Sequence, residues 1–229
     1  MIISTYSMQK KGQIIMKMLN NEIEQQLRDV FTQLENKVTI ALFTDQNDCA
    51  TCKETKEFME ELLPLSDKLE LVHYDIDKDT ELAEKFNVEM VPSIVLLDQN
   101  GDYKRIKFNG IPAGHEINSF IPALIEVSGA ESQLPEDMTK AIMAINKPID
   151  IKVFITLSCP HCPGAVQKAQ KLALMNENIQ AEMIEAQTFN EISNKYKVSG
   201  VPKIVINGEH ELVGNQPIEA FLEEIQKVS

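Results

Sequence analysis

Twice in this chain an apolar strand runs into two cysteines three positions apart. Val38-Thr39-Ile40-Ala41-Leu42-Phe43 leads to Cys49-Ala50-Thr51-Cys52, and Ile151-Lys152-Val153-Phe154-Ile155 leads to Cys159-Pro160-His161-Cys162-Pro163. Cys49 and Cys159 are 110 positions apart, as are Pro92 and Pro202, and each proline lies 43 residues beyond the first cysteine of its half. Val91-Pro92 precedes Ser93-Ile94-Val95-Leu96-Leu97, and Val201-Pro202 precedes Lys203-Ile204-Val205-Ile206. Phe86-Asn87-Val88 and Tyr196-Lys197-Val198 keep the same offset. A repeat this long with fixed spacing is a duplicated domain, not a stack of short solenoid units. The 229 residues have room for two units of about 100 residues each.

A dithiol that opens a helix differs chemically from one in a loop. The unpaired N–H groups and the positive dipole end of the helix favour an anionic sulfur. Thiolate is the nucleophile, and at a helix start its pKa falls below the free value of about 8.5. Cys159 is therefore read as the attacking sulfur and Cys162 as the resolving one, with Cys49 and Cys52 in the same roles upstream. The two sites are not expected to be equal. Pro160 is placed in the first helical turn, where a missing N–H costs little, and His161 adds positive charge beside Cys159 when protonated. Asp48 stands next to Cys49, and a neighbouring carboxylate disfavours the thiolate. The second site is thus expected to be the more oxidising.

The chain in order gives an N-terminal extension at 1–19, a first domain at 20–130 and a second at 131–229. The extension shows no periodicity. Ile23, Leu27, Val30, Phe31 and Leu34 predict a helix over 21–35. Strands follow at 38–43 and 69–74, with the dithiol helix between them carrying Phe58, Met59, Leu62 and Leu63. A short helix at 80–86 leads to Pro92, and Asp98-Gln99-Asn100-Gly101 joins two strands as a hairpin. The closing helix of this half contains Pro122, which should kink it or confine it to one side. A linker from Ser128 to Pro135 precedes the same order again: helix 136–146, strand 149–155, dithiol helix, strand 179–185, helix 189–196, a hairpin at Asn207-Gly208 and a last helix bearing Ile218, Phe221, Leu222 and Ile225. Each half reads α-β-α-β-α-β-β-α, an α/β unit with a mixed central sheet flanked by helices.

With Cys-X-X-Cys after the first core strand and Val-Pro before the third, each half resembles the thioredoxin/glutaredoxin superfamily. Two such units in one chain resemble the tandem protein disulfide oxidoreductase family, also called glutaredoxin-like, over residues 20–229. Phe108-Asn109-Gly110-Ile111-Pro112-Ala113-Gly114-His115-Glu116 and Val201-Pro202-Lys203-Ile204-Val205-Ile206 extend the likeness. The resemblance implies that Pro92 and Pro202 are cis, so that Val91 and Val201 present backbone to a substrate chain. It also implies reduction, oxidation or shuffling of protein disulfides, with electrons from a thioredoxin-reductase-like flavoenzyme. No bound cofactor is expected, since the sulfurs carry the electrons and any flavin or NADPH belongs to the partner.

One departure concerns proton transfer. Single-domain thioredoxins carry a buried Asp six residues before the first cysteine, where this chain has Phe43 and Val153. Asp75 and Glu185, again 110 apart, are the substitutes the repeat offers, although strand-end carboxylates are usually structural. His115 reads as a helix-start residue.

Two other readings compete. The first is a dedicated electron carrier to a peroxiredoxin, because the sequence resembles the double-thioredoxin portion of the flavoprotein of alkyl hydroperoxide reductase, and a free-standing carrier without the attached flavin domains is expected. The second is a zinc-binding or chaperone module, since two C-x₂-C pairs are a metal-ligand pattern. Zinc knuckles usually lie within about 15–20 residues of each other, whereas Cys52 and Cys159 are 107 positions apart, so no metal site is assigned. A net charge of −13 argues against nucleic acid or an anionic membrane as partner. No apolar run approaches the roughly 20 residues of a membrane span, and no signal peptide is legible, so a cytoplasmic location is expected.

Overall fold

A computed structural model describes residues 6–10, 13–46, 49–130 and 133–228, and for residues 6–16 only the backbone. Asp48 and the middle of the linker, residues 131–132, lie outside the described residues. Strands β1 (Tyr6–Lys10) and β2 (Gln13–Lys17) pair antiparallel as a separate ribbon. The extension is therefore more ordered than its aperiodic sequence suggested, because a ladder of backbone hydrogen bonds needs no alternation of side chains. The amides of Met18 and Leu19 then bond the carboxylate of Glu61, and Leu19 is buried.

The first unit comprises α1 (Asn21–Phe31), β3 (Val38–Thr44), α2 (Cys52–Leu62), β4 (Leu69–Asp75), α3 (Thr80–Lys85), β5 (Ser93–Leu97), β6 (Tyr103–Asn109) and α4 (Ile117–Val127). The second comprises α5 (Glu136–Met143), β7 (Ile149–Ile155), α6 (Cys162–Met175), β8 (Ile179–Glu185), α7 (Asn190–Lys195), β9 (Lys203–Ile206), β10 (His210–Val213) and α8 (Ile218–Val228). The copies agree in backbone detail: Asn87 and Lys197, 110 apart, are both left-handed, with φ of 53° and 51°.

The two units share one eight-stranded sheet, in the order β10-β9-β7-β8-β6-β5-β3-β4. The seam is the parallel pair β6–β8, in which Lys107 lies opposite Glu182. Strand residues alternate between two faces. Ile40, Leu42, Ile94, Ile151, Val153 and Ile204 join one large core with the apolar faces of α1, α2, α4, α5, α6 and α8. Phe43 and Val95 face the other way, towards Ala83 and Phe86 at α3, while Phe154, Ile184 and Val205 face Ile192 of α7.

Between those two smaller clusters the seam is polar. Glu182 receives Asn109 Nδ2 at 2.8 Å and pairs with Lys107 at 3.5 Å and Lys152 at 3.4 Å, while Ser93 donates to Asn109 at 2.9 Å. Burial draws the Lys107 ammonium below its ordinary value, and Glu182 compensates only partly. A buried charge left without its partner is costly, so this ladder favours the register that places Lys107 against Glu182.

Pro122 sits inside α4, as its position in the sequence requires. Proline has no N–H to give the carbonyl four residues back, and that carbonyl, of Asn118, accepts instead from Gln167 Nε2 on α6 at 2.5 Å. The defect in one unit's helix thereby becomes a contact with the other unit.

Candidate active site

Strands β3 and β7 run in the same direction, since β3 is antiparallel to β5, β5 to β6, and β6, β8 and β7 are parallel. Both dithiols therefore emerge at one edge of the sheet. Four strand spacings of about 4.8 Å put β3 and β7, the strands that lead to the two dithiols, roughly 19 Å apart in the sheet.

Each pair is closed as a disulfide, Cys49–Cys52 and Cys159–Cys162, with Cα atoms 5.4 and 5.5 Å apart. The second cysteine of each pair is the first residue of its helix, α2 or α6. The first sulfur-bearing residue is the more accessible in both sites. Cys49 is half-buried against 6% exposure for Cys52, and Cys159 is 9% exposed against 0% for Cys162. An attacking sulfur needs access and a resolving one does not, so the order of roles follows from burial. The proline in the first turn of α6 is Pro163; Pro160 lies ahead of the helix in an exposed turn, which corrects the placement expected from sequence. His161 is the N-cap residue of α6 and is exposed.

Val91–Pro92 and Val201–Pro202 are cis peptide bonds. Cys159 Sγ lies 3.9 Å from the Val201 carbonyl oxygen, so the proline loop faces the second dithiol. The loop after each hairpin is tied to its proline in the same way, by Gly110 N–H to Pro92 O at 2.9 Å and Gly214 N–H to Pro202 O at 2.8 Å.

Of the two carboxylates proposed as proton acceptors, Asp75 ends β4 and braces the turn that follows, its carboxylate accepting from the Asp77 amide. Lys78, hydrogen-bonded to it at 2.7 Å, holds its carboxyl below the ordinary carboxylate range. Glu185 Oε2 accepts from the Thr188 amide and hydroxyl at 2.6 and 2.7 Å, and its Oε1 is buried without a partner. The carboxyl that sequence reasoning passed over is Glu116. It is fully buried, its Oε1 has no hydrogen-bond partner, and burial raises its pKa to about 7, although Ser119 donates to its other oxygen.

Glu116 ends the 3₁₀ turn Gly114–Glu116, which packs against α6. In that turn the His115 amide donates to Leu157 O at 3.0 Å, two residues ahead of Cys159. The first unit thus sets a protonatable group in a turn that packs against α6, the helix that Cys162 opens. A carboxyl so perturbed by burial is a candidate for acid–base chemistry. The available signal was Glu116 itself, an acid in an otherwise apolar loop, but only the seam shows what it faces.

Gly114 makes this approach possible. Its φ is +61°, and a Cβ there would stand 2.6 Å from Leu157 O. Gly114→Ala is expected to cost at least about 1–2 kcal/mol from the left-handed backbone alone. It should also shift the thiolate titration of Cys159 while leaving that of Cys49 unchanged. Urea unfolding and thiolate absorbance of the two sites measure both effects.

Two dithiols at helix starts, each in a unit with a cis-proline loop that at the second site faces the sulfurs, define a thioredoxin-like redox protein with two Cys-X-X-Cys motifs. The family model described as thioredoxin matches residues 12–123, and one described as thioredoxin domain matches residues 149–227. Among solved structures, the alkylhydroperoxide reductase AhpF from Enterococcus faecalis (V583) is 33% identical with a TM-score of 0.85, covering 90% of this chain and 99% of that one. A protein disulfide oxidoreductase from Aeropyrum pernix K1 is 30% identical with a TM-score of 0.84, covering 91% and 93%. The corresponding alkyl hydroperoxide reductase protein of Staphylococcus aureus (strain MRSA252) is 29% identical over 208 residues; the match takes in 91% of this chain but only 38% of that protein's length. The chain belongs to the tandem thioredoxin-fold family.

Proposed function

We propose that this protein is a thiol–disulfide oxidoreductase acting on disulfides of other proteins. The observation that carries the reading is the pairing, at each site, of a first cysteine more exposed than the second at a helix start, in a unit whose strand after the dithiol loop is entered through a cis-proline. In the reducing direction the Cys159 thiolate attacks a substrate disulfide. One substrate sulfur leaves as thiolate, and the other is held in a mixed disulfide beside Val201 and Pro202. Cys162 gives its proton to Glu116 and attacks Cys159, releasing the second substrate thiolate and closing Cys159–Cys162. Two electrons have then passed to the substrate. Cys49 and Cys52 run the same cycle beside Val91 and Pro92, and Pro160 and His161 tune the second site. No bound cofactor is required by this scheme; flavin and NADPH belong to a thioredoxin-reductase-like partner. The alternative, that Cys49 and Cys52 relay electrons to the second site, is less favoured within one chain, because thiol–disulfide exchange needs sulfur contact and the strands leading to the two dithiols are roughly 19 Å apart.

A second reading is favoured by the likeness to the alkyl hydroperoxide reductase AhpF: a carrier that delivers electrons to a peroxiredoxin. One experiment addresses both. With NADPH and a thioredoxin-reductase-type flavoenzyme, NADPH oxidation is followed with insulin or with a peroxiredoxin plus peroxide as acceptor. The main reading expects insulin-dependent turnover; turnover with the peroxiredoxin alone would replace it with the carrier. A single zinc held by both pairs is disfavoured on geometry, since Zn–S bonds of about 2.3 Å cannot span the sites. No helix among the described residues is long and apolar enough to cross a membrane.

A further inference from the structure

The duplicated sites differ on one flank. In the second unit the loop after the hairpin is open beside the proline: Val213 is 62% exposed and Asn215 is exposed as well. In the first unit the equivalent loop, tied to Pro92 through Gly110, is sealed. Asn109, Ile111 and Ala113 are 2%, 8% and 7% exposed. The second unit is what seals it. A Cβ at Gly110 would stand 2.7 Å from Glu185 Cβ, and Phe189 is the next side chain over it. The same loop then continues to Gly114 and His115, which contact Leu157 beside Cys159. A segment that could flank the first dithiol has become a wall of the second.

The proline loops differ in the same sense. Glu89 and Met90 precede Val91-Pro92, where the second site has Ser199 and Gly200. Gly200 has no positive φ and nothing within 4 Å of where a Cβ would lie, so neither backbone nor packing demands glycine there. Its effect is to leave room beside Val201.

We infer that the two dithiols serve disulfides of different size: the second site takes cystines embedded in protein chains, and the first takes low-molecular-mass disulfides. The inference rests on the redox reading of both dithiols. A protein segment lying along Val201 and Pro202 meets solvent-exposed Val213 and Asn215 on the β10 side, the latter held over α6 by Lys168. At the first site the corresponding space is filled by β8 and Phe189.

The test uses the full chain in two single-site forms, C49S/C52S and C159S/C162S, each reduced beforehand and mixed with excess disulfide in a single turnover. One disulfide is 5,5′-dithiobis(2-nitrobenzoate), followed by its released thiolate; the other is insulin, followed by alkylation and mass spectrometry. The ratio of the two rates cancels the intrinsic reactivity of each sulfur, leaving access. The insulin-to-small-disulfide ratio is expected to be at least about tenfold higher for C49S/C52S than for C159S/C162S, equivalent to about 1.4 kcal/mol of lost docking. A smaller difference, or the reverse order, overturns the inference while leaving the redox reading intact. If neither form reacts with either disulfide, the redox reading fails as well. Should a variant misfold, the unaltered reduced chain gives the same answer by peptide mapping: a substoichiometric pulse of insulin should close Cys159–Cys162, and the small disulfide should close both pairs. Equal closure of both pairs by insulin overturns the inference.

Discussion

Cys162→Ser is expected to turn the second site into a trap. Cys159, the more exposed of the two sulfur-bearing residues, still attacks a substrate disulfide, but the mixed disulfide that forms has no intramolecular partner to resolve it. In the unaltered chain the Cα atoms of Cys159 and Cys162 are 5.5 Å apart and the second sulfur is fully buried, so it waits where the mixed disulfide forms. Well-oriented intramolecular reactions have effective molarities of about 10⁵ M and above, far beyond any external thiol at millimolar concentration. Even a small part of that advantage implies that turnover through this site falls by about a thousandfold or more. Measured in the C49S/C52S background, the loss should be accompanied by a covalent, dithiothreitol-sensitive complex with the substrate on a non-reducing gel. Cys159→Ser should lose turnover without forming the complex. A chaperone or zinc module predicts neither result, and equal complex formation by the two variants would reverse the order of attack assigned from burial.

The sequence carried the local part of this site well. A dithiol, the strand before it and the helix after it are contiguous, and so are a Val-Pro pair and the strand it opens. Periodicity and a fixed 110-residue offset are enough to place them. What it did not carry lies across the seam. Lys107 and Glu182 are 75 positions apart and belong to strands of different units, and nothing in either strand says that β6 and β8 will be neighbours. Once they are, one continuous sheet replaces two, the Gly110–Glu116 loop is pressed against Leu157 and Glu185, and the turn that holds Glu116 packs on α6. Repeat logic directs attention to Asp75 and Glu185 because they correspond to each other. Glu116 lies outside that correspondence, and its burial with an unpartnered oxygen follows from the fold. Ribbon β1–β2 was missed for a related reason: pairing, not period, creates it.

Glu116→Gln is expected to stabilise the fold and impair the chemistry, and the pH dependence separates the two. Burial holds this carboxyl protonated up to about pH 7, against an ordinary value of 4.5. Between those values the folded chain binds a proton that the unfolded chain has released, so stability falls as pH rises through the window and is level above it. At about 1.36 kcal/mol for each pH unit, the loss is roughly 3 kcal/mol by pH 8. A glutamine has no charge to desolvate. Relative to the unaltered protein, the variant should therefore gain roughly 3 kcal/mol between pH 4 and pH 8 in urea-unfolding free energy. Over the same range it should lose the group that takes the proton from Cys162, a form of catalysis typically worth about 10²–10⁴-fold. Release of substrate from the mixed disulfide should slow accordingly at pH 7–8, and its rise near pH 7 should vanish, while attack by Cys159 stays within a few-fold. Stability curves that run parallel from pH 4 to pH 8 would show that Glu116 is not the buried acid inferred from its surroundings. A stabilised variant that resolves at the normal rate would leave it a buried acid without a part in the reaction.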